Sequence, residues 1–160
     1  MHFVKHRPTF YKQSAATCWA AALQSWLEAV PGRTSRDTDF LLDYFSTYTR
    51  NEGMLPWYNI DPVLTDIIVR MDYEIIGGPN FTTDYIIDAL LWSHLYLIAK
   101  AEENIGHARI VFGLVNDGVL VVDPMMGYVH WSFPKIKTFD TLLVGWATGR
   151  YSGAMSPRFT

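Results

Sequence analysis

The sequence predicts an α+β fold in which a helical N-terminal half packs on an antiparallel β-sheet from the C-terminal half. Segments with helical periodicity come first, and five segments rich in β-branched and aromatic residues follow residue 94. The chain has 160 residues, of which 49% are hydrophobic and 15% aromatic, enough for one well-packed core. We therefore expect a single domain over residues 1–160, with a tail from about residue 148 that is loosely attached.

Four helices are expected, over residues 18–30, 37–47, 61–71 and 82–92. Each helix starts at a residue that can cap it: Thr17, Ser35 to Asp37, Asp61-Pro62, and Thr82 or Thr83. The first helix is expected to stop at the breaker pair Pro31-Gly32. A short strand or turn is expected over residues 73–76. The predicted strands cover residues 94–100, 106–112, 118–122, 128–131 and 141–147, and residues 1–9 are expected to form an arm or an edge strand.

Charge and composition exclude several classes of function. The net charge is −3 without a run of Lys or Arg, which argues against a nucleic-acid partner. No stretch approaches the roughly 20 apolar residues of a membrane span, and the N-terminus lacks the apolar core of a signal peptide. No cluster of His and Cys has metal-ligand spacing, so we expect neither a metal nor a cofactor.

Cys18 is the only cysteine of the chain and is placed at the start of the first predicted helix. Unpaired backbone N–H groups and the helix dipole favour a negatively charged thiolate at that position. A small apolar residue packed under the helix is the alternative, because free cysteines are among the most buried residues.

His107 is the histidine best placed to act as a base. It follows Gly106, which permits close approach of another element, and it starts a predicted strand. Asp123 ends the next predicted strand, although an acid before Pro124 is also an ordinary turn residue. A cysteine nucleophile needs a base and a group that orients the base, and these residues supply both types.

These motifs in this order resemble papain-like cysteine proteases: Gln13, Cys18-Trp19-Ala20 opening a helix, Gly106-His107-Ala108, and Val122-Asp123-Pro124. The resemblance spans roughly residues 10 to 130 and is strongest to compact bacterial forms, namely secreted effector proteases and the peptidase domains of bacteriocin exporters.

The resemblance implies a role for each residue of the expected site. Cys18 is the nucleophile, His107 the general base, and Asp123 orients the imidazole where papain has asparagine. Gln13 supplies an oxyanion donor, although its interval to Cys18 is five positions, one shorter than in papain.

Four aromatic residues are expected to line the substrate cleft, with packing in the core as the alternative. Trp19 matches the family pattern beside the nucleophile, and the others come from a long loop and a late strand: Trp57, Tyr58 and Trp131.

The hairpin between His107 and Asp123 tests this assignment. Asp117-Gly118 indicates a tight turn that would pair Asp123 with Phe112, roughly 16 Å along the strand from His107. A triad would then require a wider turn centred near Val115, so we predict a loop or bulge over residues 113–117.

The expected reaction is cleavage of a protein substrate through a thioester. The same residues also suit a glutamine deamidase, a transglutaminase-like enzyme or a cell-wall peptidase, and a catalytically dead binding module is the competing class. Small size and the absence of a visible pro-region suggest a bacterial effector or toxin. Such a protein is expected to be secreted without a signal peptide, to act in a target-cell cytoplasm, and to be neutralised by a cognate immunity protein.

Overall fold

The computed structural model describes residues 3–4, 7–13, 16–29, 36–67, 71–92, 94–102 and 105–147. Within these residues the helices are α1 (Cys18–Glu28), α2 (Thr38–Tyr44), α3 (Ile60–Ile67), α4 (Thr83–Trp92) and α5 (Phe133–Lys137). The strands are β1 (Phe3–Val4), β2 (Met71–Gly77), β3 (Leu95–Glu102), β4 (Ile105–Val115), β5 (Gly118–Asp123), β6 (Gly127–Ser132) and β7 (Thr141–Ala147). The expected breaker pair Pro31-Gly32 and the expected loose tail from residue 148 lie outside the described residues.

The described strands form one sheet in the order β2-β7-β3-β4-β5-β6, with antiparallel pairing between neighbours. The central strand β4 has 11 residues and is longer than its partners. Its first part pairs with β3 and its last part with β5, while β1 pairs with its end through Phe3 opposite Leu114. The α+β prediction is confirmed, and the sheet holds the strand that carries His107 at its centre.

Helices cover both faces of this sheet. On one face, Leu23 and Trp26 of α1 pack with Tyr96 and Ile110 of the sheet in one buried cluster. On the other face, α4 and α5 join a second cluster with alternate residues of the same strands, such as Val111. The side-chain alternation of β-strands thus supplies two cores, whereas the sequence predicted one helical layer.

Helix α1 is almost entirely buried, since ten of its eleven residues are inaccessible or nearly so. Its small residues Ala20, Ala21 and Ala22 allow the helix backbone to lie close to the sheet. Thr17 occupies the expected N-cap position, but it caps through its carbonyl, which accepts from the amides of Ala20 and Ala21 at 3.1 and 3.2 Å. The prediction that α1 starts at Cys18 is therefore confirmed.

The other helix boundaries differ in detail from the sequence prediction. Asp37 caps α2 by accepting from the amide of Phe40 at 2.8 Å, as expected. Helix α3 begins at Ile60, so Asp61 lies in its first turn and is not its cap. The expected end of α3 at Met71 is wrong, because Met71 begins β2, a full strand that pairs with β7. Helix α5 was not expected, because its 5 residues are too few for a periodic signal.

The β4–β5 hairpin has a tight turn, so the expected wide loop over residues 113–117 is wrong. Val115 pairs with Gly118, which leaves Asn116 and Asp117 as a two-residue turn. A Cβ on Gly118 would lie 2.0 Å from the carbonyl oxygen of Trp131, so glycine is required where β5 approaches β6. A register shift does occur, but it lies within the strand, between Val111 and Gly113.

Candidate active site

Cys18 lies at the junction between α1 and β4. It is the first residue of α1, and only 9% of its surface is exposed. Its Sγ atom accepts a hydrogen bond from the amide of Ala108 at 3.5 Å, next to His107 in the chain. The thiol is thus placed where the N-terminal end of the helix favours a negative charge.

His107 contacts both of its expected partners. Its ring lies beside the Cys18 thiol, which raises the pKa of the imidazole, and its Nε2 atom lies 2.8 Å from Oδ1 of Asp123. Because Nε2 is engaged with the carboxylate, Nδ1 is the ring nitrogen left to face the sulfur. The structure therefore brings Cys18, His107 and Asp123 together.

Asp123 is held by donors from strand β4 and from the turn that follows β5. Its Oδ1 atom also accepts from the amides of Met125 and Met126 at 2.7 and 3.2 Å, and its Oδ2 atom accepts from Nε of Arg109 at 2.8 Å. Only 3% of the residue is exposed, and burial alone would raise its pKa. The hydrogen bonds from His107 and Met125 and the charge of Arg109 reverse this and hold the pKa of Asp123 well below its usual value.

The pKa of His107 is raised from 6.5 to about 9. Burial opposes the charged ring, but the hydrogen bonds to Asp123 and Cys18 outweigh burial and the repulsion from Arg109. The site therefore favours the imidazolium form at neutral pH, flanked by a sulfur that can carry negative charge and by a carboxylate.

Arg109 is a site residue that the sequence analysis missed. Its Nη1 atom donates to the carbonyl of His107 at 3.0 Å, and its guanidinium carbon lies 4.3 Å from the centre of the Trp131 ring. A signal was present, because residues two apart on a strand face the same side and Arg109 follows His107 by two. The amides of Met125 and Met126 could also have been found, since Asp-Pro is a common start of a turn that the Asp side chain caps.

Gln13 lines the same cavity as Cys18. Its amide donates to the carbonyl of Pro124 at 2.8 Å, which ties the segment before α1 to the turn after Asp123. Gln13 and Cys18 both line one cavity, so the five-position interval does not separate them.

Of the four aromatic residues expected to line the substrate cleft, two line the cavity and two lie outside it. Trp57 lines the cavity and packs over Gly106. Trp19 also reaches the cavity but is almost wholly buried, with its Nε1 donating to the carbonyl of Gly53 at 2.8 Å. Tyr58 is 72% exposed and Trp131 is buried in the second core cluster, and neither lines this cavity.

The cavity has a volume of about 460 Å³ and a mostly apolar wall. Besides the polar residues above, its wall includes Met54, Leu55, Trp57, Ile60, Ile98, Met125 and Met126. Within the described ranges, no three His, Cys, Asp or Glu side chains form a group that could hold a metal. The arrangement can therefore present a nucleophile, an acid–base group and an apolar surface to one substrate.

Several solved structures resemble the chain in fold. The peptidase domain of Streptococcus ComA, a bifunctional ABC transporter of a quorum-sensing pathway, matches with a TM-score of 0.63 and 11% identity, over 89% of this chain and all of that domain. A C39-like peptidase from Bacillus anthracis matches with a TM-score of 0.65 and 9% identity, over 93% of this chain and 99% of that one. The chain has the papain-like fold of these peptidase domains.

A further papain-like structure extends the comparison to a bound peptide. A double-glycine-motif protease from an AMS/PCAT transporter, solved with its leader peptide, matches with a TM-score of 0.54 and 13% identity over 92% of this chain and 99% of that one. No known protein family and no curated protein sequence matches the chain. In the part of the chain that the structure describes, no helix is long and apolar enough to cross a membrane.

Proposed function

We propose that the chain is a cysteine peptidase with Cys18 as nucleophile, His107 as general base and acid, and Asp123 as the orienting carboxylate. The observation that carries the proposal is the His107 ring, which contacts the Cys18 thiol on one side and the Asp123 carboxylate on the other inside one cavity. Covalent acyl transfer requires a nucleophile, a base beside it and a group that orients the base, arranged in a row in space.

The first step forms a bond between the sulfur of Cys18 and the substrate carbonyl carbon, and the carbonyl π electrons move to its oxygen. The resulting oxyanion accepts from the backbone N–H of Cys18, which is at the helix N-terminus, and from the side-chain amide of Gln13. Gln13 and Cys18 both line the cavity, which supports this assignment.

In the second step the oxyanion re-forms the carbonyl, the C–N bond breaks, and His107 gives its proton to the leaving amine. A thioester remains on Cys18. Water then attacks the thioester while His107 accepts its proton, and the C–S bond breaks to regenerate the thiolate and imidazolium. Throughout, Asp123 keeps Nε2 protonated and Nδ1 directed at the reacting atoms.

A peptide is the substrate class that the site suits best. The apolar part of the wall, including Trp57, Met125 and Met126, can contact apolar side chains of a bound chain. The fold is shared with a protease that was solved with a leader peptide, which supports a peptide as ligand.

The test is mass spectrometry of a cell lysate incubated with the wild type or with Cys18→Ala. New peptide termini that depend on Cys18 support a peptidase. One-dalton shifts at glutamine without new termini would indicate a deamidase, and glutamine–lysine cross-links a transglutaminase. Identical lysates would overturn catalysis on lysate proteins and favour the binding module.

The role of a secreted effector or toxin with an immunity protein stays a prediction. If it holds, producing the wild type in the cytoplasm of a target cell slows growth, and producing Cys18→Ala does not. Equal growth of the two strains would count against toxicity while leaving the peptidase proposal intact.

A further inference from the structure

Arg109 connects three parts of the candidate site. Its Nε donates to Oδ2 of Asp123 at 2.8 Å, its Nη1 donates to the carbonyl of His107 at 3.0 Å, and its guanidinium carbon lies 4.3 Å from the centre of the Trp131 ring. Only 13% of its side chain is exposed. A largely enclosed guanidinium with two hydrogen bonds and an aromatic ring against it has little freedom to move.

The two oxygens of Asp123 have different donors. Oδ1 accepts from His107 and from the amides of Met125 and Met126, whereas within the described residues Arg109 is the donor to Oδ2. A carboxylate bound at one oxygen can rotate about its Cβ–Cγ bond, and a donor at the second oxygen fixes that rotation. The contact with Arg109 therefore sets the plane in which Oδ1 meets the His107 ring.

We propose that Arg109 is a positioning residue, which fixes the Asp123 carboxylate and the backbone of His107 so that the imidazole faces Cys18. The buried ring of Trp131, which was expected to line the cleft, instead supports the guanidinium. This inference rests on the proposed function of Cys18 and His107.

The charge of Arg109 and its geometry have opposite effects on His107, and this makes the proposal testable. The charged or titratable groups that face the ring are Cys18 from α1, Asp123 from β5 and Arg109 from β4 itself. The positive charge of Arg109 disfavours the imidazolium, so losing the charge alone would make the site more reactive at high pH. Losing the positioning would do the reverse, because Asp123 would no longer support the ring.

The experiment measures the rate at which iodoacetamide alkylates Cys18 between pH 5 and pH 10. Cys18 is the sole cysteine, so the rate has one source and requires no knowledge of the substrate. The variants are Arg109→Gln, Arg109→Lys and His107→Ala, with thermal unfolding of each as a check of folding. Lys135→Gln is the matched control, because Lys135 also lies against Trp131, at 5.3 Å.

At pH 7 we expect Arg109→Gln to be alkylated about 10-fold more slowly than the wild type, with a profile that approaches that of His107→Ala. Arg109→Lys should be intermediate, since one ammonium cannot hold both the carboxylate and the His107 carbonyl in the guanidinium geometry. Lys135→Gln should match the wild type.

Folded Arg109→Gln with an unchanged or faster rate would overturn the positioning role. If Arg109→Gln does not fold, Arg109→Lys decides, and a wild-type rate for it would overturn the proposal. The failure of the proposed function has a different signature, because the wild type and His107→Ala would then share one profile.

Discussion

Nε2 of His107 lies 2.8 Å from Oδ1 of Asp123 across two antiparallel strands, although Asp123 is not directly opposite His107 in the sheet. Ile110 pairs with Val122, which brings Asp123 to the level of Arg109 and makes His107 its diagonal neighbour. Long side chains reach across such a diagonal. The extra residue at Phe112 sets this register, so a backbone irregularity five residues from the histidine determines whether the two side chains meet.

Asp123→Asn should slow alkylation of Cys18 at neutral pH by roughly 100-fold. This factor is the lower end of the rate enhancement that a positioned acid–base group usually contributes. An amide has one acceptor oxygen, so its NH₂ group must face either Arg109 or the turn amides, which are all donors. The imidazolium also loses its negative partner. The rate of alkylation by iodoacetamide at pH 7 measures the effect.

Asp117→Asn is the matched control for that substitution. Asp117 accepts from His130 at 3.0 Å, but the pair is exposed and outside the cavity. An exposed pair of this kind contributes little, so the alkylation rate should not change. A similar loss in both variants would refute a specific role of the Asp123 carboxylate.

The free energy of unfolding should depend on pH through His107. Its pKa in the folded chain is about 9, above its ordinary value of 6.5, so the protonated ring stabilises the fold fully below about pH 6.5. That contribution is lost as the pH rises through 9. Asp123 acts in the opposite sense: its lowered pKa contributes stability above its ordinary value of 3.8, and this is lost as the pH falls further.

Denaturant unfolding of the wild type should therefore show a decline on the order of 1 to 3 kcal/mol between pH 6.5 and pH 9.5. His107→Ala supplies the comparison, because the difference between the two curves isolates this group from the rest of the chain. Parallel curves would contradict the assigned coupling of His107 to Asp123 and Cys18.

Gly118→Ala should destabilise the fold by roughly 2 kcal/mol, since the new Cβ would overlap the Trp131 carbonyl and force β5 away from β6. Gly77→Ala is the control, because the nearest atom to its Cβ would be 3.5 Å away, an ordinary contact. Chemical denaturation of both variants gives the two free energies. Equal losses would mean that the close approach at Gly118 has no special cost.

Trp57→Ala should weaken inactivation by an epoxysuccinyl peptide about 10-fold, mainly through weaker binding, because Trp57 forms part of the cavity wall. Tyr58→Ala, at the adjacent exposed position outside the cavity, should leave inactivation unchanged. The concentration dependence of inactivation separates binding from the chemical step. A larger effect at Tyr58 would place the peptide path outside the cavity.

The periodicity and the cap at Asp37 were enough to predict the order of the helices and strands in most of the chain. They predicted the start of α1 at Cys18 and the strands that hold His107 and Asp123, because these depend on local patterns. The second helical layer was not predicted, since periodicity shows that a face is buried but not which side of the sheet buries it.

The hairpin register was predicted incorrectly for a different reason. The predicted wide loop near Val115 is wrong, because the turn is tight and lies at Asn116-Asp117, one residue before the Asp117-Gly118 signal. The shift at Phe112 arises from pairing between strands, which leaves little local trace in the sequence. Among the aromatic residues, nothing in the sequence distinguishes Trp57 from Trp131. Only the fold shows that Trp57, in a loop, lines the cavity and that Trp131, in the sheet, lies in the core. The contacts of Arg109 also depend on that register, although its spacing from His107 was visible.

The hydrogen bond from the amide of Gln13 to the carbonyl of Pro124 joins two segments that are more than a hundred residues apart in the chain. One segment leads into the helix that bears the sulfur, and the other leaves the strand that bears the carboxylate. A ligand that displaces the Pro124 turn must therefore also shift Gln13, so these two segments respond to occupancy together and neither adjusts alone.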